Sequence, residues 1–267
     1  MSLSKGILPL LIDDISERSI VNPGDWIRTL EKIEGVKAPK LPKNCILTFD
    51  YMRLERELKI YYKSSEIRFL TKPVYVLNYD GLKVCYASGY VGSAGCSFLE
   101  ELMSLGVKNI IVIGGVGVLN PEIERGDIII PVKALRDEGV SYHYLKPSVY
   151  IFSDAKLVEV SKRVLKRLNV KFWEGIVWTT DSVYRETITK YRVFKKLGAV
   201  CVDMESASFY SIAKYRGKRI SSMFFGADLL TETGWNYRLP EKKDDKEVKR
   251  LLLKCSLETF SLLNKEG

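Results

Sequence analysis

The sequence predicts an α/β fold, with a mostly parallel central sheet and helices on both faces, and three observations carry that prediction. Short continuous apolar runs recur along the chain, segments with apolar residues three and four apart lie between them, and turn residues separate the two. Runs that lack polar alternation suit strands buried on both faces, which is how a parallel sheet lies between helical layers. The 267 residues, 46% hydrophobic and 28% charged, are enough to bury one large core. Residues 1–267 therefore read as a single domain, with 1–19 as an N-terminal extension.

Taken in order, the first feature is Asn22-Pro-Gly-Asp-Trp-Ile-Arg28, which follows the apolar pair Ile20-Val21 and leads into a helical pattern around Leu30. A strand-turn-helix junction of this kind offers backbone amides and an arginine to a phosphate; the alternative is a surface turn with a solvated arginine. Two β-rich runs, Phe69 to Asn78 and Leu82 to Ala87, flank Tyr79-Asp80-Gly81 and predict a hairpin. Buried strands are predicted at Lys83 to Ala87, Asn109 to Ile113, Asp127 to Ile130, Glu174 to Trp178, Val200 to Val202 and Ile220 to Phe225. Helices are predicted at Ser97 to Leu105, Ala155 to Leu168, Glu186 to Leu197, Glu205 to Tyr215 and Lys246 to Leu263. The polar stretch Asn236 to Lys246, which contains Pro240, reads as a surface loop.

Composition excludes several classes. A single histidine rules out a zinc site built from several imidazoles, and the five cysteines (Cys45, Cys85, Cys96, Cys201, Cys255) form no C-x-x-C pair. They read as reduced core thiols, and no metal is expected. No segment has the order of a signal peptide or the length of a bilayer span, so a cytoplasmic protein without a membrane partner is expected. The net charge of +9 is spread among acids rather than gathered into a stripe, which argues against a nucleic-acid partner.

The run Val112-Ile-Gly-Gly-Val-Gly-Val118 follows an apolar strand, and its glycines suit a sharp turn that exposes amides to a ligand. A tight turn without a ligand fits the same residues. It is no dinucleotide fingerprint, because Asn120 occupies the slot of the third glycine, so neither a nicotinamide nor a flavin cofactor is expected.

Six segments in the same order resemble the nucleoside phosphorylase and nucleosidase family. They are Pro23-Gly-Asp-Trp-Ile-Arg28, Ser88 to Ser97, Gly106 to Gly117, Gly126-Asp-Ile-Ile-Ile130, Arg136 to Tyr144 and Val202-Asp-Met-Glu-Ser-Ala207. The most specific is the D-M-E-S signature around Met204. The resemblance spans roughly residues 20 to 263 and implies a three-layer α/β/α domain that assembles as a homo-oligomer, usually a hexamer built as a trimer of dimers. The implied substrates are a nucleoside and inorganic phosphate, in nucleoside salvage, with no bound cofactor.

The resemblance also assigns roles. Gly24, Arg28 and Gly115 match the phosphate positions, and Arg68 stands near the arginine that a neighbouring subunit contributes. Glu205 matches the carboxylate that binds the ribose hydroxyls, and Met204 the thioether packed on the sugar. Without the resemblance, Glu205 reads equally as an acid at a helix N-terminus. Asp228, in Phe225-Gly-Ala-Asp-Leu229, matches the acid that protonates N7 of a departing purine. Val116, Gly117, Val202, Asp203, Val183 and Tyr184 fall around the ribose and base, Val183 replacing the usual stacking aromatic.

The glutamine and arginine of uridine-specific members are replaced by Thr187 and Thr189, which tilts the preference to purine. His143, in Ser-Tyr-His-Tyr, carries no triad, and Arg136 with Asp137 is expected to form a buried structural pair. Val112 and Gly115 replace an arginine and a hydroxyl residue of the phosphorylases. Retention of Arg28 favours phosphorolysis over hydrolysis by water, and a catalytically silent nucleoside sensor is the third reading.

Overall fold

The computed structural model describes residues 10, 12, 14–238 and 245–266. After a helix α1 (Pro23–Glu34), the chain runs through β1 (Asn44–Phe49), a 3₁₀ turn at Asp50–Met52, α2 (Glu55–Tyr62), β2 (Ser65–Ile67), β3 (Val74–Tyr79) and β4 (Leu82–Gly89). It continues through α3 (Ala94–Ser104), β5 (Asn109–Val118), β6 (Ile128–Asp137), β7 (Tyr150–Phe152), α4 (Ala155–Arg167) and β8 (Phe172–Thr180). The last elements are α5 (Ile188–Lys196), β9 (Ala199–Asp203), α6 (Ser206–Tyr215), β10 (Arg219–Thr231), β11 (Gly234–Asn236) and α7 (Asp245–Lys265).

Side-chain alternation along the strands builds two main cores, with a smaller third around Trp178 and Tyr191. In β1, Cys45, Leu47 and Phe49 pack with residues of α1, α3 and α6. Ile46 points the other way, into a cluster that includes Leu58 of α2, Leu157 of α4 and Leu257 of α7. Neighbouring β5 divides likewise, Ile110 and Val112 to the first core, Ile111 and Ile113 to the second. Burial of each such aliphatic side chain is worth about 1.5–3 kcal/mol, so helices are required on both faces, as the sequence predicts.

Strands β4, β1, β5 and β10 pair in parallel, as do β6, β8 and β9, while β5 with β9 and β10 with β6 are antiparallel. Because β10 pairs with both β5 and β6, the strands β5, β10, β6, β8 and β9 close into a ring. Register shifts at Gly226/Asp228, Pro131/Lys133 and Ile176/Val177 supply the twist that lets long strands change partners.

Some expectations are corrected. The glycines of 112–118 lie inside β5 rather than in a turn, and the reason is close packing. A Cβ at Gly115 would stand 2.8 Å from Phe225 Cζ, and one at Gly117 2.8 Å from Leu230 Cδ1. The first hairpin strand starts at Val74, with β2 paired to it on the outer edge. Asp80 (φ 49°) and Gly81 (φ 79°) make the turn that the Asp-Gly pair predicts.

Among the described residues no strand precedes α1, where Ile20 is fully exposed. The strand-turn-helix junction lies instead at β1 and α2, a pair that the periodicity reading passes over. Most of the loop expected at Asn236 to Lys246 lies outside the described residues; Asn236 itself closes β11 and Lys246 belongs to α7. Much of the expected N-terminal extension is likewise outside them. His143 ends a 3₁₀ turn. All five cysteines are buried and free. No helix among the described residues is long and apolar enough to cross a membrane.

Candidate active site

The carboxyl ends of β5, β9 and β10 meet over a cavity of about 860 Å³. Ends of parallel strands leave unpaired backbone groups and diverging connections, which is where α/β sheets open toward ligands. Of the residues singled out in the sequence, Gly115, Val116, Gly117, Val183, Tyr184, Val202, Asp203, Met204, Glu205 and Asp228 all line it.

Glu205 follows β9 and caps the start of α6. It is 6% exposed; its Oε1 accepts from the Gly92 amide at 2.5 Å and its Oε2 from the Met204 amide at 3.3 Å. Burial raises its carboxyl pKa, nearby Asp203 raises it further, and the two amides pull it back only in part. Asp203 is also raised by burial, opposed by bonds from Ser206 and Thr179. Thr179 Oγ1 donates to Asp203 at 2.7 Å and accepts from the Ala207 amide at 3.0 Å, which ties β8 to the first turn of α6 and fixes the signature segment. Met204 reaches the same region, its methyl 3.7 Å from where a Cβ on Gly92 would stand.

Asp228 is aimed by a bulge. In the β10–β5 ladder Gly226 pairs with Val116 and Asp228 with Gly117, so Ala227 is the extra residue. Asp228 Oδ2 would stand 3.3 Å from a Cβ on Gly117, so glycine there leaves its approach open. The Trp235 indole N–H, on β11, donates to that oxygen at 2.6 Å and orients the carboxyl group. Val183 and Tyr184 sit in a 3₁₀ turn at the rim, Tyr184 being 95% exposed.

Several cavity residues, Glu186, Tyr51 and Trp235 among them, are not anticipated from the sequence. Glu186 is half-buried, and burial, with Asp228 second, pushes its carboxyl pKa up to about 7. Tyr51 follows β1 in the 3₁₀ turn, and its hydroxyl accepts from the Gly115 amide at 3.0 Å. The buried run Asn44–Phe49 is the signal that would have located Tyr51, since the residues after a buried parallel strand line the cleft.

The remaining phosphate assignments do not converge. Gly24 and Arg28 lie on α1, Arg28 paired with Asp25 and its side chain 66% exposed. A Cβ on Gly24 would stand 3.8 Å from Ser104 Oγ, at the far end of α3, whereas Glu205 binds Gly92 just before the near end. An 11-residue helix is roughly 16 Å long, so α1 sits a helix length from the cavity. The Asn22 capping box accounts for its Asn-Pro-Gly-Asp sequence: Asn22 Oδ1 accepts from the Asp25 amide at 3.2 Å and Asp25 accepts in return from the Asn22 amide at 3.0 Å. Arg68 follows the outer edge strand β2, 80% exposed and paired with Glu66.

Arg136 and Asp137 do not pair with each other. Arg136 donates to Ser141, Ser148 and the carbonyls of Leu145 and Lys146, while Asp137 takes Lys190 and the Trp178 indole. Successive strand residues point to opposite sides, which separates them.

The chain is similar to known proteins in sequence and in fold. The sequence model of the phosphorylase superfamily matches residues 45–255, beginning in β1, after Arg28. A purine nucleoside phosphorylase of Plasmodium vivax is 31% identical over 196 residues, 70% of this chain and 78% of that protein. A DeoD-type purine nucleoside phosphorylase of Aliivibrio salmonicida is 28% identical over 58% of this chain and 66% of its own length. In fold, the chain is similar to Toxoplasma gondii purine nucleoside phosphorylase solved with immucillin-H (TM-score 0.76, 20% identity, 87% of this chain and 95% of that one). It is also similar to the uridine phosphorylase of Vibrio fischeri ES114 (TM-score 0.71, 22% identity, 82% and 92%). With the matched region covering most of the chain and a relative 31% identical over 70% of it, the chain belongs to the phosphorylase superfamily.

Proposed function

We propose that this chain is a nucleoside phosphorylase that breaks the N-glycosidic bond of a purine nucleoside, releasing free base and (deoxy)ribose 1-phosphate. The observation that carries the reading is the placement of Glu205 and Asp228 along one cavity. As the C1′–N bond stretches, positive charge grows on the sugar and negative charge on the base. Glu205, with its oxygens fixed by two amides, is placed to accept from the ribose hydroxyls and to stabilise the cationic sugar. Asp228, oriented by Trp235, is placed to give the departing purine its proton at N7. The site needs no cofactor beyond phosphate as co-substrate.

The assay is release of base from inosine, adenosine, guanosine, uridine and methylthioadenosine, each with and without phosphate, with ribose and ribose 1-phosphate measured together. Base release from purine nucleosides above uridine is the expected result. Absence of release from all five substrates would leave only a nucleoside sensor. One observation favours a second reading, hydrolysis by water: the Gly115 amide is already occupied by Tyr51. Base release undiminished without phosphate would select it.

Homo-oligomerisation, as a hexamer, is part of the same proposal. Arg68 on the outer edge is outside its own cavity and exposed, as an arginine lent to a second copy would be. The single continuous sheet supports one domain, and the five buried thiols suit a reducing, cytoplasmic setting.

A further inference from the structure

The end of β5 carries the Gly115 amide into the cavity, and a donor in that position is what an anion beneath the sugar would use. That donor is taken. Tyr51 Oη lies 3.0 Å from Gly115 N and 3.4 Å from Gly115 O, and its ring stacks on Phe49 with centroids 5.8 Å apart and planes 12° apart. A Cβ at Gly114 would fall 2.8 Å from the same hydroxyl, so the glycine pair makes room for the phenol.

The charge around it points the same way. Among the described lining residues there are two cations, Arg125 and Lys249. Arg125 is committed to Asp245 and to the carbonyls of Ala227 and Tyr237, and Lys249 donates to the Tyr51 carbonyl. Against them stand Glu186, Asp203, Glu205 and Asp228, before Asp245 and Glu232 are counted with their own arginine partners. A phosphate dianion entering there meets acceptor oxygens and an amide already bonded, whereas a water molecule can donate to those oxygens.

We propose that Tyr51 tunes which group attacks C1′, holding the Gly115 amide back from phosphate so that water competes with phosphorolysis. The inference rests on the glycosidic reading above and refines it. Burial holds the Tyr51 phenol in its neutral form, so the hydroxyl stands in for a phosphate oxygen without bringing its charge. In the water reaction the C1′–N bond breaks with its electron pair leaving on the base, and a water oxygen forms the new bond to C1′. Asp228 supplies the proton to N7, the water gives one proton to solvent, and solvent returns one to Asp228.

The test uses Tyr51→Phe and Tyr51→Ala in the full chain, with circular dichroism to establish that both fold. Isothermal titration with inorganic phosphate alone reads the subsite without turnover. Removal of one competing hydrogen bond is expected to tighten phosphate binding roughly fivefold in Tyr51→Phe. With inosine at fixed phosphate, the ratio of ribose 1-phosphate to ribose is expected to rise by a similar factor. Unchanged phosphate affinity in both variants overturns the proposal. So does weaker affinity in Tyr51→Phe, because the hydroxyl would then be a phosphate ligand. If no variant cleaves inosine, the glycosidic reading fails while the titration still decides the role of Tyr51.

Discussion

Asp228 and Glu205 are both acids in one cavity, yet their surroundings differ. Glu205 is buried and held by backbone amides that cannot move away, a fixture suited to a sugar that must be bound and then stabilised. Asp228 is held by one indole on a short hairpin strand, an arrangement that a base edge could displace. A proton donor contributes mainly in the transition state, so Asp228→Asn is expected to lower kcat for purine release roughly a hundredfold with little change in nucleoside affinity. Steady-state kinetics beside equilibrium nucleoside binding checks this; equal losses in both would remove Asp228 from the proton transfer. The signature around Met204 makes Glu205 legible from sequence. Glu186 is not, because it reaches the cavity through a turn whose direction is set by distant strands, and Tyr51 is legible only once β1 is recognised as a buried strand.

At the scale of elements, the informative case is α1. Its Asn-Pro-Gly-Asp start is explained in full by helix capping, which uses a proline in the first turn and an aspartate three residues after the cap. The same letters would suit an anion-binding turn, and local sequence does not separate the two. Packing does, since α1 docks on the far end of α3. Arg28→Ala is therefore expected to leave the phosphate dependence of base release unchanged within about twofold, a side chain on an exposed face contributing little elsewhere. A clear rise in phosphate requirement would return α1 to the site. The strands and long helices were legible because their apolar residues must face one of the cores. The glycines of β5 suit a turn on local sequence because the contacts that exclude a Cβ come from residues more than sixty positions away.

At the scale of the whole molecule, folding gathers carboxyl groups whose pKa values are raised: Glu186 to about 7 by burial and then Asp228, and Asp203 and Glu205 upward by burial. The folded state thus keeps protons that the unfolded chain releases near pH 4.5. Stability from these groups is fully present below that pH and is lost as pH rises through the folded values. Glu266 has the opposite sign, its pKa lowered by Arg163 and Lys156, and its contribution is lost at acid pH instead. Urea denaturation is expected to show lower stability at pH 8 than at pH 5, with the difference reduced in Glu186→Gln. A difference of the same size in that variant would take Glu186 out of the account.

What the sequence by itself determined is the class of fold and most of its buried strands and helices, with Glu205 and Asp228 as candidate acids, because hydrophobic periodicity and a short signature are local properties of the chain. Only the tertiary structure decided which other residues line the cavity. The ring closed by β10, the bulge at Ala227 and the reach of Tyr51 to Gly115 each join residues far apart in sequence, and long-range packing leaves no local pattern by which to read them.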